Sequence, residues 1–260
     1  MKIYGVKKGK TKKRLDVLVY ERGLAESRQK AASLILGGHV LVDGAPVTKA
    51  GTAVDDEAAI ALRGGGPRYA SRGALKLKGA VERFGVSFSG KTVMDVGAST
   101  GGFTDYMLQG GAARAYCVDV GYGQLHYRLR EDPRVVLLEK TNIRHLEKDA
   151  VPDGIDLAAI DVSFISLKLV LPKVMEFLRE GGEVLALVKP QFEVGRGEVE
   201  KGGVVRDGKK RKRAVESVEE FSKTIGLEPL GIYECEVHGQ KKGNIEYFIY
   251  LRKGAGDARA

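Results

Sequence analysis

Asp95-Val96-Gly97-Ala98-Ser99-Thr100-Gly101-Gly102-Phe103-Thr104-Asp105 stands between Lys91-Thr92-Val93-Met94, a short apolar run opening after Ser89-Gly90, and the apolar segment Tyr106-Met107-Leu108. The order is therefore strand, glycine loop, helix, the first β-to-α turn of a nucleotide-binding sheet. Glycine reaches dihedrals closed to other residues, and a side chain on such a loop would hold the backbone away from a ligand. The spacing Gly-x-x-x-Gly-Gly does not fit the dinucleotide fingerprint Gly-x-Gly-x-x-Gly, and no Gly-Lys-Ser/Thr closes a phosphate-gripping loop. What remains is a loop shaped for a nucleoside ligand without a pyrophosphate, for which S-adenosylmethionine is the candidate.

Four apolar runs of this chain end in a charge: Val93-Met94-Asp95, Tyr116-Cys117-Val118-Asp119, Ala158-Ala159-Ile160-Asp161 and Val184 to Val188 followed by Lys189. Runs apolar on both faces are what a parallel sheet covered by helices demands, and they alternate here with helical segments. The ligand crevice of such a sheet lies beyond the carboxyl ends of its strands, so the four charges are expected to converge there. Asp119 falls at the distance from the glycine loop at which an acid meets ribose hydroxyls. Asn142 and Ile143, at the next strand end, are the natural flank of an adenine ring. The candidate cofactor-binding residues are thus Asp95, Gly97, Ala98, Ser99, Gly101, Gly102, Phe103, Asp119, Asn142, Ile143 and Asp161. Leu230 to Val237 and Ile245 to Leu251 read as two final strands, antiparallel because no crossover helix fits between them.

With 260 residues, 43% hydrophobic and 30% charged, the chain has the composition of a globular protein with room for one full α/β domain and one small one. A formal net charge of +9 points to a polyanionic partner such as nucleic acid. Cys117 and Cys235 lie far apart inside apolar runs, which indicates neither a disulfide framework nor a metal site and suits buried thiols in a reducing compartment. No signal peptide and no uncharged apolar segment of membrane-spanning length is legible, so a cytoplasmic protein with no membrane and no metal partner is expected.

Residues 1 to 14 carry seven Lys or Arg and no acid. The expected organisation is a basic arm over 1–13, a small domain over 14–62, a linker over 63–70 built around Gly64-Gly65-Gly66-Pro67, a nucleotide-binding domain over 71–253 and a tail over 254–260. In the small domain Leu15, Leu18, Val19 and Arg22 have helical spacing, Ser27 opens a second helix that Gly37-Gly38 stops, and Val40 to Val47 reads as a hairpin turning at Asp43-Gly44. In the larger domain Ser71 is expected to cap a helix burying Ala74, Leu77, Val81 and Phe84, with Lys76 beside that face. The basic run Lys209-Lys210-Arg211-Lys212-Arg213 opens another helix, where positive charge opposes the macrodipole, so phosphate binding is a reason for it to be there.

Arg14-Leu15-Asp16, Gly23-Leu24-Ala25-Glu26-Ser27-Arg28 and Gly38-His39-Val40-Leu41-Val42-Asp43-Gly44 resemble the RNA-binding domain shared by ribosomal small-subunit protein four, pseudouridine synthases and tyrosyl-tRNA synthetases. That resemblance implies RNA contacts at Arg14, Arg22, Arg28 and Lys30, although the segment holds no excess of bases over acids. To these the charge pattern adds Arg68, Arg72 and Lys209, Lys210, Arg211, Lys212 and Arg213.

Taken with Ser71-Arg72-Gly73-Ala74-x-Lys76-Leu77, the glycine loop, Asp161-Val162-Ser163-Phe164-Ile165-Ser166, Lys189-Pro190-Gln191-Phe192-Glu193 and Asn244-Ile245-Glu246, nearly the whole chain resembles the TlyA family. The resemblance implies a Rossmann-like S-adenosylmethionine methyltransferase sheet of the FtsJ-like type, mostly parallel with an antiparallel last strand, behind a small α+β RNA-binding domain. It also implies 2′-O-methylation of a cytidine in ribosomal RNA, with ribosomal RNA or ribosomal subunits as partners. The family's Lys-Asp-Lys-Glu tetrad falls on Lys76, Asp161, Lys189 and Glu246.

The chemistry suits those types. A ribose hydroxyl is a poor nucleophile and must lose its proton as the methyl transfers, and a lysine can serve as base where burial and a second ammonium favour its neutral form. Lys189 is expected to contact the hydroxyl, Lys76 to be its cationic neighbour, and Asp161 and Glu246 to orient the two. An inactive RNA-binding protein would not need charges at all four positions. A base N-methyltransferase commonly carries an Asp/Asn-Pro-Pro-Tyr/Phe loop where this chain has Asp161-Val162-Ser163-Phe164. Family members also carry a hemolysin label, which the lack of a membrane-length apolar segment does not support.

Overall fold

The computed structural model describes residues 11–25, 27–63, 69–237 and 244–254, and at Arg196 the backbone only. Arg68, most of the expected basic arm and the expected tail lie outside the described residues. The chain divides into two units, Met1–Ser71 with His126–Arg128, and Arg72–Leu125 with Leu129–Ala260.

The first unit contains β1 (Lys12–Arg14), α1 (Leu15–Glu21), α2 (Arg28–Leu36), β2 (Val40–Val42), β3 (Ala45–Pro46), β4 (Ala53–Asp55) and β5 (Ile60–Leu62). Leu15, Leu18 and Val19 recur at helical spacing and are almost fully buried against Ala31, Ile35, Val40 and Val54. Ser27 caps α2 by accepting from Lys30 N at 3.1 Å. At the hairpin, Asp43 and Gly44 both take positive φ, 50° and 83°, the combination a two-residue turn needs to match strand twist. β2 pairs with β3 and β5, and β1 with β4. The hairpin is legible in the sequence, whereas β1, β4 and β5 are three-residue strands too short to give a period.

The second unit contains α3 (Gly73–Phe84), β6 (Thr92–Val96), α4 (Gly102–Gln109), β7 (Arg114–Val118), the last two residues of α5 (Tyr127–Arg130), β8 (Val135–Leu138), β9 (Ile155–Ile160), α6 (Leu171–Phe177), β10 (Leu178–Val188), α7 (Pro190–Glu193), α8 (Gly208–Thr224), β11 (Leu227–Glu234) and β12 (Tyr247–Lys253). One seven-stranded sheet runs β11-β12-β10-β9-β6-β7-β8. The pairs β6–β7, β7–β8, β6–β9 and β9–β10 are parallel; β12 lies antiparallel to both β10 and β11. This is the mostly parallel sheet with an antiparallel last strand that the sequence implies. Strand order reverses at β6, flanked by β7 and β9, and a ligand crevice forms at such a reversal beyond the carboxyl ends.

α3 starts at Gly73, preceded by Arg72 at φ −60° and ψ −20°. One expectation is corrected. Phe84 is only partly buried, its ring stacked on Tyr250 at 5.1 Å.

Candidate active site

Asp119, Asp161 and Lys189 each stand one residue past the end of a strand, β7, β9 and β10 respectively. Asp95 differs from the expectation: it lies inside β6 and is 1% exposed. The reason is α4, whose N-cap is Gly101 and has no side chain to satisfy its first turn. Asp95 Oδ2 takes that role, accepting from Thr104 N at 2.8 Å and from Thr104 Oγ1 at 2.6 Å. Its Oδ1 is buried with no hydrogen-bond partner. Burial pushes the carboxyl up to about 7 against those two hydrogen bonds, and the charges of Asp161 and Asp119 push the same way.

Gly97 and Gly101 have φ of 87° and 90°. A Cβ on Gly97 would come within 2.5 Å of the Asp161 carbonyl oxygen, and one on Gly101 within 2.3 Å of Leu129 Cδ1. The loop thus requires glycine both for its dihedrals and to pass close to neighbouring chain. Ser99 N donates to Asp119 Oδ2 at 2.8 Å and Gly121 N to Asp119 Oδ1 at 2.6 Å, so the acid after β7 joins the two loops at the crevice. Asn142 caps the short turn Ile143–His145 by accepting from Arg144 N. Ala98, Ile143 and Phe103 are buried, Ile143 in the core and Phe103 with its ring 6.0 Å from Phe248. Gly102 opens α4.

The four charges of the candidate tetrad come together as two pairs. Lys189 Nζ is 2.6 Å from Asp161 Oδ1, and Lys76 Nζ is 2.6 Å from Glu246 Oε2. Glu246 reaches the crevice because β12 runs antiparallel to β10 with Tyr247 opposite Val188, which sets the residue before β12 beside the end of β10. Lys76 projects from α3 and is largely buried, with 14% of its side chain exposed. Burial pulls its ammonium down, but the carboxylates of Asp161 and Glu246 outweigh it and hold the pKa above the ordinary lysine value. Lys76 is therefore a fixed cation whose field is set by the acids of both pairs. Lys189 is 8% exposed and, before Pro190, extended at φ −109° and ψ 101°. Its Nζ also donates to Ser163 Oγ at 2.8 Å. The contact with Asp161 Oδ1 lies outside hydrogen-bond geometry, since that oxygen has no aligned donor, and acts as a Coulombic pair.

Several residues that sequence reasoning does not single out hold these groups in place. Glu193 accepts from Ser166 Oγ at 2.6 Å and Leu167 N at 2.9 Å, tying the turn after Lys189 to the segment after Asp161; its own burial raises its pKa. Phe164, at φ 64°, packs its ring 5.2 Å from Phe192 across the same junction. Buried Asn244, two residues before Glu246, accepts from Val205 N at 3.1 Å and donates to Gly203 O at 2.8 Å. Each stands inside a stretch that the sequence already marks, as the residue that bonds and not the one that carries charge.

The candidate RNA residues divide by what they touch. In the first unit Arg14 donates to Asp16 Oδ1 and Oδ2 at 2.9 and 3.0 Å and Arg28 to Asp16 Oδ2 at 3.1 Å, leaving both guanidiniums more than half exposed. The Arg14 hydrogen bond, with Arg28 aiding, overcomes burial and holds Asp16 down to about 2. Lys30 is exposed, whereas Arg22 turns inward and donates to the carbonyls of Ala58 and Asp56. In the second unit Arg72 is exposed. Within α8, Lys209 and Lys212 face solvent. Lys210 donates to Glu198 O at 3.3 Å, Arg211 to Arg206 O at 2.9 Å, and Arg213 pairs with Glu198. Three bases of the run thus clamp the glycine-rich segment after Lys189, and that clamping is a reason, besides phosphate, for positive charge at this helix start. Among the described residues no group of three or more His, Cys, Asp or Glu could hold a metal ion, and no helix is long and apolar enough to cross a membrane.

Residues 69–253 match the model of the FtsJ-like methyltransferase family and residues 13–60 that of the S4 domain. The chain is 46% identical over 240 residues to the 16S/23S rRNA (cytidine-2′-O)-methyltransferase TlyA of Mycobacterium tuberculosis, covering 92% of this chain and 89% of that one. It is 39% identical to Hemolysin A of Brachyspira hyodysenteriae, over 92% of this chain and 99% of that one. A solved structure from Streptococcus thermophilus, assigned as a hemolysin, is 42% identical and superposes with a TM-score of 0.70 over 95% of this chain and 90% of its own.

Proposed function

This chain belongs to the TlyA family of FtsJ-like methyltransferases, and from that premise we propose that it transfers a methyl group from S-adenosylmethionine to the 2′-hydroxyl of a cytidine in ribosomal RNA. The observation that carries the reading is the meeting of two lysine–carboxylate pairs, Lys189–Asp161 and Lys76–Glu246, on the side of the sheet where the glycine loop lies.

The residues present fit the cofactor. Asp95 Oδ1 is a buried acceptor without a donor beside the glycine loop, which suits a cationic ligand group. Asp119, held between Ser99 N and Gly121 N, keeps lone pairs for ribose hydroxyls. S-adenosylmethionine supplies, when bound, a methyl carbon on a positively charged sulfur.

Lys189 Nζ, after releasing its own proton to solvent, would as the neutral amine accept the proton of the 2′-hydroxyl during methyl transfer. Asp161 Oδ1, 2.6 Å away, would stabilise the positive charge as it returns to Lys189. Lys76, fixed by Glu246, is the cation that holds the acceptor nucleotide in line. The S4 unit and the exposed Lys209 and Lys212 are the RNA-holding surfaces, and the ribosome gives the protein a cytoplasmic place of work.

The test is to incubate the protein with ribosomal subunits and cofactor and to map ribose methylation. A new 2′-O-methylcytidine supports the proposal; methylation on a base, or none on either subunit's RNA, contradicts it.

A further inference from the structure

We propose that Ser163 is a positioning residue for this reaction, one that sets the direction of Lys189 Nζ and presents its own hydroxyl hydrogen toward the acceptor nucleotide. The inference rests on the assignment of Lys189 to the 2′-hydroxyl.

The carboxylate and the hydroxyl beside Lys189 do different things. Asp161 Oδ1 is as close as 2.6 Å but is not aligned with a donor, so it contributes charge and little direction. Ser163 Oγ, at 2.8 Å, is an aligned acceptor. A lysine nitrogen is tetrahedral, with one direction taken by Cε. Once a second points at Ser163 and a third lies against Asp161, one direction remains for the acceptor hydroxyl. In the neutral amine the two protein-facing positions are N–H bonds and the remaining one is the lone pair. Without Ser163, rotation about the Cε–Nζ bond has no directional restraint and the lone pair is aimed only part of the time.

Ser163 is itself well held. Asp161 N donates to Val96 O at 2.9 Å on one side, and Glu193 fixes Ser166 and Leu167 on the other. Its side chain is nevertheless exposed, unlike Lys189. A serine hydroxyl that accepts from an ammonium must turn its own hydrogen away from it, and here that is toward the open side. A nucleotide oxygen or ring nitrogen beside the reacting ribose is the acceptor this chemistry suits.

The charges facing Lys189 are Asp161 from the end of β9 and, next to that acid, Lys76 from α3 with Glu246 from the segment before β12. The full chain is assayed on ribosomal subunits as Ser163→Ala and Ser163→Thr, alongside Lys189→Ala. Ser163→Ala is expected to lower kcat about tenfold with cofactor affinity unchanged, the scale of one lost hydrogen bond to a charged group. It should also move the acid limb of the kcat–pH profile to lower pH, because an ammonium that loses an acceptor is less favoured over the neutral amine. Ser163→Thr keeps the hydroxyl and should stay within about threefold of the parent. An Ala variant with unchanged kcat and unchanged pH profile, or a Thr variant as slow as Ala, overturns the proposal. If Lys189→Ala is inactive in that same series, the failure is confined to Ser163; if it is active, the underlying assignment of Lys189 has failed instead.

Discussion

Lys76 Nζ and Glu246 Oε2 lie 2.6 Å apart although 170 residues separate them in the chain, and both side chains are largely buried. The pair joins α3, which precedes the sheet, to the segment before its antiparallel strand. Removing one partner leaves a poorly hydrated charge, so the two positions must be strongly coupled. Glu246→Gln keeps the shape but not the charge and should slow transfer about tenfold or more, with Glu246→Ala slower still. In a thermal double-mutant cycle with Lys76→Met, the coupling should be on the order of 1 to 3 kcal/mol. Additive single effects would show that Glu246 does not constrain Lys76.

Asp95 makes the apoprotein's stability depend on pH. Its folded value of about 7 stands above the ordinary carboxylate value, so the folded state holds the proton more tightly than the unfolded chain does. The associated stability is fully present below about pH 4 and is lost as pH rises through about 7. Asp95→Asn removes this dependence while its amide oxygen still accepts from Thr104. The variant's melting temperature relative to the parent should therefore rise between pH 5 and pH 8, and cofactor should stabilise the parent more at pH 8 than at pH 6. A difference that stays flat from pH 5 to pH 8 would remove the carboxylate from this role.

The basic run of α8 should separate by substitution. Lys209→Ala with Lys212→Ala removes two solvent-facing charges of the run, and the salt dependence of RNA binding should fall by about one unit of slope for each phosphate no longer neutralised, with thermal stability unchanged. Arg211→Ala removes donors to the carbonyls of Val205 and Arg206 and should cost about 1 kcal/mol of stability instead. The division of labour is wrong if Arg211→Ala leaves the melting temperature alone and the double variant lowers it.

The sheet and the glycine loop are legible because local signals carry them: apolar runs, strand-end charges and a loop whose dihedrals only glycine meets easily. Lys76 is not legible that way. Beside a helix's apolar face it is an ordinary lysine until β12 brings Glu246 to it, and only the family resemblance marks it beforehand. Asp95 looks in sequence like the other strand-end acids, yet it is buried because α4 lacks a capping side chain of its own. Arg22 reads as an exposed base at helical spacing, but the carbonyls it holds belong to Asp56 and Ala58, far along the chain. In each case the missing information is a partner set by tertiary pairing, which no window of sequence contains.

Proton transfer to Lys189 is the central step, and turnover on ribosomal RNA by Lys189→Ala and Lys189→Arg tests it most directly. Both should lose transfer by at least about 100-fold while calorimetric cofactor affinity and RNA affinity stay nearly unchanged, since alanine lacks the base and guanidinium keeps its proton. A Lys189→Arg enzyme with near-normal turnover would contradict proton transfer to Lys189.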